Sequence, residues 1–178
     1  MCEPVHEVVH EVIMHRRSVR SYEPAAIPDA VLLEILEAGR QAPSAANRQP
    51  WHFVVVRDPE RRRDLAEACN GQSWLADAGA LVVALGLPEI SGRWYMVDVA
   101  IAMENMVIAA ASHNLGTCWI GAFNEEAVKS VVKAPPEARV IAVTPIGVPK
   151  GAWPSPRPRK AFGEVFSAEA FGQPLVLA

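Results

Sequence analysis

At 178 residues and 51% hydrophobic, the chain can bury a sizeable core as one domain, and its composition excludes disorder and fibrous repeats. Its 17 Lys and Arg against 20 Asp and Glu leave a formal charge of −3, which argues against nucleic acid or an anionic membrane as the main partner. The 3 cysteines, Cys2, Cys69 and Cys118, are widely spaced and form no CxxC, which suits reduced thiols in a cytoplasmic protein. No signal peptide is expected, since the first seventeen residues carry Glu3, Glu7 and Glu11 and lack a hydrophobic region of the right length.

In chain order, Val5, Val8, Val9, Val12 and Ile13 recur at helical spacing and predict a helix over residues 5–15. His6 and His10 lie one turn apart on its polar face, but no third ligand accompanies them, so a solvated face is expected and no metal. The helix delivers Arg16, Arg17, Ser18 and Arg20. Capping the helix dipole accounts for some of that charge. Three arginines in five residues exceed what capping requires, and guanidinium forks match phosphate oxygens, so this run is a first anion-site candidate. Pro28 and Asp29 open a second helix over residues 27–40.

Residues 41–53, QAPSAANRQPWHF, form a run that no core element would choose. Pro43 stops a helix, Ser44, Ala45 and Ala46 are too small to shield the backbone, and Pro50 forces Gln49 out of the helical region. Such a loop lets a flat ligand lie against main chain while Asn47 and its polar neighbours reach the ligand's edge. A buried strand is expected over residues 51–56, with His52 satisfied inside it. Asp58 and Pro59 open a helix to about residue 70, whose arginines 61–63 read as a solvated face. Asn70, Gly71 and Gln72 then make an amide-bearing loop.

An almost wholly apolar strand over residues 78–87 should lie centrally in its sheet. Residues 94–113 read as a helix apolar nearly all round, although Asp98, Glu104 and Asn105 argue against a membrane span. A chain this short cannot easily cover such a helix, so a second subunit is expected on it, with alanines 100, 102 and 109–111 permitting close packing. LGTCWIGAF, residues 115–123, combines strand propensity with Gly116 and Gly121, which permit backbone to approach a ligand. Asn124 is an N-cap for a helix over residues 125–133, and a further strand spans residues 139–147. Prolines from 145 to 158 then hold an extended arm that ends in Arg157, Arg159 and Lys160, before a tail whose Phe162, Val165, Phe166 and Phe171 offer apolar anchors.

Several standard chemistries are missing: GxGxxG, GxxxxGK[ST] and GxSxG do not occur, and no Cys–His nucleophile or metal-ligand spacing is recognisable. What remains is a phosphate-sized basic site drawn from both chain ends, with a small-residue loop beside it. That combination suits a phosphorylated aromatic cofactor.

RRSVRSY at residues 16–22, APSAANRQPWHFVVV at 42–56, AASHNLGTCWIG at 110–121 and RPRKAF at 157–162 together resemble the nitroreductase family of FMN-dependent oxidoreductases, across nearly the whole chain and in order. The resemblance implies an α+β fold with a central, mostly antiparallel sheet covered by helices. It implies one FMN-binding domain over residues 1–178, with a C-terminal arm from about residue 148, in an intertwined homodimer holding FMN at the subunit interface. By that resemblance Arg16 corresponds to the phosphate arginine, Arg17 and Ser18 to neighbouring contacts, and Arg20 to the cation near flavin N1 and O2. Pro43, Ser44, Ala45 and Asn47 correspond to the loop laid on the flavin by the partner subunit. Trp119, Ile120, Gly121 and Ala122 correspond to the donors at N5 and O4, and Arg157 and Arg159 to the basic pair closing on the phosphate. Either Asn70 or Gln72 reads the flavin edge. The implied reaction is ping-pong, with NADH or NADPH reducing the flavin and a nitroaromatic, quinone or related small molecule reoxidising it, and with no catalytic side chain. The alternatives are a specialised dehalogenating or flavin-fragmenting branch, or a non-catalytic flavin-binding dimer.

Overall fold

A computed structural model describes residues 5–177, with side chains described from residue 8. Its centre is β2 (Ala80–Gly86), every residue of which is buried. β1 (Trp51–Val56) and β4 (Arg139–Gly147) flank β2, both antiparallel, and β3 (Gly116–Thr117) completes the order β1-β2-β4-β3. Alternation along β2 divides the interior in two. Leu81, Val83 and Leu85 face one core, where α3 (Pro59–Ala68) and α5 (Glu125–Val132) contribute Leu65 and Val128. Ala80, Val82 and Ala84 face the other, against Ile35 of α2 (Asp29–Arg40) and Val99, Met103 and Met106 of α4 (Tyr95–Ser112). Each large aliphatic side chain so enclosed contributes roughly 2 kcal/mol.

The predicted element order holds, and local chemistry explains the boundaries. Asp58 accepts the Arg61 amide N–H at 2.9 Å with Pro59 in the first turn of α3, and Asn124 accepts that of Ala127 at 3.0 Å. Lys133 then ends α5 in the left-handed conformation, at φ 54°. α1 (Val5–His15) forms as the spacing predicts, but Val8, Val9, Ile13 and Met14 of its apolar side stand exposed. A single helical turn in the tail, α6 (Phe162–Val165), has no counterpart in the sequence reading.

Several expectations need correction. β1 is an edge strand and only partly buried, because β2 covers one side alone, and His52 is exposed rather than satisfied within it. Arg62 is not part of a solvated face, because its guanidinium donates to the carbonyls of Ala76 (2.8 Å) and Ala78 and so holds the turn before β2. The run 115–123 yields a strand of two residues, and Gly116 packs against the Val19 side chain. A Cβ there would come within 2.6 Å of Val19 Cβ, so Gly116 is needed for the close passage of residues 16–22. Ala102, Ala110 and Ala111 turn inward, whereas the uncovered face of α4 carries Met96, Val97 and Ile101. The expectation for α4 needs no such change: it is long and apolar enough to cross a membrane by length and composition, yet its Val99, Met103 and Met106 are core residues of this fold. Of the histidine pair, His6 lies outside the described side chains, and His10 is exposed.

Gly116→Ala should lower stability by about 1–3 kcal/mol through overpacking. Pairing it with Val19→Ala should recover part of that loss in a double-mutant cycle of thermal unfolding, and strict additivity would refute the contact. A second test concerns Glu125, whose carboxyl is held below the usual range, chiefly by the hydrogen bond from Arg139. Its stabilisation is present above the ordinary glutamate pKa and is lost as pH falls through the lowered native value. Glu125→Gln should therefore flatten the acid limb of the Tm-against-pH curve, and unchanged curvature would count against the pairing.

Candidate functional site

Residues 16–22 leave α1 and lie along β3. Ser18 bridges Thr117 in parallel, and the Val19 N–H donates to the Thr117 carbonyl at 2.8 Å. Val19 and Tyr22 are buried anchors, while Ser18 before them and Arg20 and Ser21 between them stay exposed. Burial raises the Tyr22 phenol, which donates to the Val19 carbonyl at 2.8 Å and so remains a neutral structural donor. The chain's other end joins the same segment. Glu23 N–H donates to Val148 O at 2.9 Å, and Lys150 N–H to Ser21 O at 2.9 Å. Two residues beyond Gly151, the Trp153 indole N–H reaches the carbonyl of His15 at 2.9 Å.

These contacts create a cavity of about 1090 Å³ lined from both ends of the sequence. Arg16, Arg17, Arg20, Lys150, Arg157 and Arg159 all face it, and Glu104 of α4 is the one carboxylate among its lining residues. Cations gathered in a concave, partly desolvated site repel one another and focus the field on an incoming anion. The site therefore fits a phosphate-bearing ligand, as both clusters predict. The cations are not equally free. Arg17 turns its Nη1 back onto the carbonyls of Met14 (2.7 Å) and Arg16 (2.8 Å), a helix-capping role. Arg16 Nε lies 3.9 Å from Glu104 Oε1, and Arg159 makes only long contacts to the carbonyls of Arg157 and Pro158.

Glu104 also accepts the Trp119 indole N–H at 3.1 Å, tying residues 119–122 to the cavity wall. There Ile120 is buried and paired with Val143, whereas Trp119, Gly121 and Ala122 are exposed, with open space beside Gly121. Gln72 donates to Cys69 O at 2.8 Å and reaches Ala122 O at 3.4 Å, so it abuts this segment, while Asn70 is exposed in a left-handed turn. Cys118, behind Arg20, is a poor nucleophile, because burial raises its thiol more than Arg20 lowers it.

The loop at 43–49 lies apart. Ala46, Asn47 and Gln49 are left-handed at φ 51°, 52° and 51°, a conformation that costs a non-glycine residue about 1 kcal/mol. The loop braces itself, the Gln49 N–H donating to Ser44 Oγ at 3.0 Å, and one tether fixes it to α4, from Ala45 N–H to Asp98 Oδ1 at 3.1 Å. Asp98 and Glu104 are six residues apart, about 9 Å along the helix and on different sides of it. Pro43, Ser44, Ala45 and Asn47 accordingly do not line the basic cavity. Sequence reasoning missed Asp98, Glu104, Lys150 and Trp153 as parts of this arrangement. For the two acids the signal was available: carboxylates on an otherwise apolar helix need a partner.

The sequence profile of the nitroreductase family matches residues 13–89 and 70–148. A putative NADH dehydrogenase/NAD(P)H nitroreductase from Archaeoglobus fulgidus is 35% identical over 147 residues, covering 79% of this chain and 84% of that protein. The crystal structure of a nitroreductase family protein from Clostridium novyi NT superposes with a TM-score of 0.76 at 35% identity, over 93% of this chain and 96% of that one. An NADPH:FMN oxidoreductase from Vibrio harveyi, solved with NAD+, gives a TM-score of 0.84 at 25% identity, over 95% and 80%. With its antiparallel sheet between two helical layers and these matches along most of its length, the chain belongs to the nitroreductase family.

Proposed function

We propose that this chain is an FMN-dependent NAD(P)H oxidoreductase that works as a homodimer and reduces nitroaromatic, quinone or related small acceptors in a ping-pong cycle. The observation that carries the reading is the convergence of Arg16 and Arg20 with Arg157 and Arg159 on one cavity. Its size and charge fit the phosphate-bearing tail of FMN. When bound, FMN supplies a hydride-accepting centre at N5 that NADH or NADPH can reduce and an acceptor can reoxidise.

The chain's own residues bind, orient and enclose. Arg16, Arg157 and Arg159 hold the phosphate through charge-assisted hydrogen bonds, with Ser18 as a neighbouring donor. Arg17 shapes the wall by capping α1. Arg20 would set positive charge beside the ring system, where it favours a gain of negative charge. Trp119, Gly121 and Ala122 offer main chain to the ring edge, whereas the N–H and carbonyl of Ile120 are both taken by Val143. Gln72, which already abuts Ala122, is a better reader of that edge than Asn70. No side chain in the cavity is needed as acid or base.

Homodimerisation rests on two features. The loop of Pro43, Ser44, Ala45 and Asn47 does not line its own protomer's cavity, which supports its presentation by a second copy. The exposed apolar side chains of α1 and α4 give that copy a surface to cover. Residues 1–178 act as one FMN-binding domain, with the segment from about residue 148 as the arm that closes the phosphate site.

The purified protein should be yellow, and anaerobic NADH or NADPH should bleach it; a protein that stays colourless in excess FMN would refute the reading. Arg16→Ala and Arg159→Ala should each weaken FMN binding about tenfold or more. Wild-type affinity in both would remove the phosphate assignment.

A further inference from the structure

The C-terminal arm has little regular structure between β4 and α6, yet Arg157 and Arg159 are effective only if the arm stays over the cavity. Its main chain is tied down as far as Lys150, by the bonds to Ser21 and Glu23. Beyond that, Gly151 turns left-handed at φ 75°, and Pro154, Pro156 and Pro158 lack amide donors. Among the described residues, Trp153 is the one in this stretch that hydrogen-bonds back to the body of the fold. Its indole N–H donates to His15 O at 2.9 Å, and its ring lies over the His15 imidazole with centroids 5.0 Å apart and planes 13° from parallel.

The attachment point matters. His15 is the last residue of α1, immediately before Arg16. Arg17 takes up the neighbouring carbonyls of Met14 and Arg16. That leaves the His15 carbonyl, an acceptor at the negative end of the helix dipole, for the arm. One contact thus sets the distance between Arg16 and the arginines four and six residues beyond Trp153.

We propose that Trp153 is a positioning residue for the phosphate end of the cofactor site, a latch that seats the arm on the end of α1 so that Arg157 and Arg159 oppose Arg16 and Arg20. The inference rests on the FMN reading given above. A latch of this kind acts on the phosphate alone, whereas a general loss of structure acts on the whole ligand.

Titrating the full-length, flavin-stripped chain with FMN and with riboflavin, which lacks the phosphate, separates the two. Trp153→Ala should weaken FMN roughly tenfold while leaving riboflavin affinity within about twofold, the signature of misplaced charge-assisted contacts. Trp153→Phe, which keeps an aromatic ring but loses the indole N–H, should fall between wild type and alanine for FMN and match wild type for riboflavin. It carries the test should the alanine variant not fold. Equal weakening of both ligands, or unchanged FMN affinity, would overturn the latch. Arg16→Ala and Arg159→Ala serve as controls. If they weaken FMN and the Trp153 variants do not, the latch alone fails; if they too leave FMN untouched, the cofactor assignment fails with it.

Discussion

Three main-chain hydrogen bonds, from Val19 to Thr117, from Glu23 to Val148 and from Lys150 to Ser21, join the segment after α1 to β3 and to the segment after β4. The basic cavity depends on them, because they bring together parts of the chain some 130 residues apart in sequence. Side chains on both segments then share one space, although nothing in their own interactions would gather them there. Mutual repulsion among the cations opposes the arrangement, so the backbone ties and the hydrophobic burial of Val19 and Tyr22 must hold it open. Cations held together in this way focus a positive field on the space they share.

The sheet explains why those ties are rigid. β2 is buried on both faces, so neither β1 nor β4 can slip by one residue without sending leucines and valines to the wrong layer. α4 packs on one of those faces and carries two acids on different sides of its surface. Asp98 reaches the 43–49 loop, and Glu104 reaches Arg16 and Trp119. The same helix thus sets the positions of the 43–49 loop and of the basic cavity's wall, which do not meet within a protomer.

Much of this was legible in the residues. β1 and β4 begin and end where their apolar runs do, and the Asp58 and Asn124 caps lie where short polar side chains precede a helix. The two arginine clusters announced an anion site because their density exceeded any capping need, and they do share a cavity. Less legible were features set by tertiary contact. Gly116 reads as a ligand-facing glycine until Val19 is seen against it, and Arg62 reads as solvent-facing until the Ala76 and Ala78 carbonyls appear. The inward turn of Ala102 could not be read from composition, because a helix apolar on all sides gives no periodicity to say which side is covered. Trp153 was hidden for a different reason: its partner is a main-chain carbonyl, which carries no residue-type signature.

The left-handed turn at Ala46, Asn47 and Gln49 bears on association as well as on shape. Its conformational cost is met within the protomer, by bonds from Gln49 to Ser44 and to Asn47 and by the Asp98 tether. A surface that docks against this loop therefore meets a template already frozen in its final form. Little further entropy is surrendered at the moment of contact, and a modest patch of short side chains can serve as a firm wall.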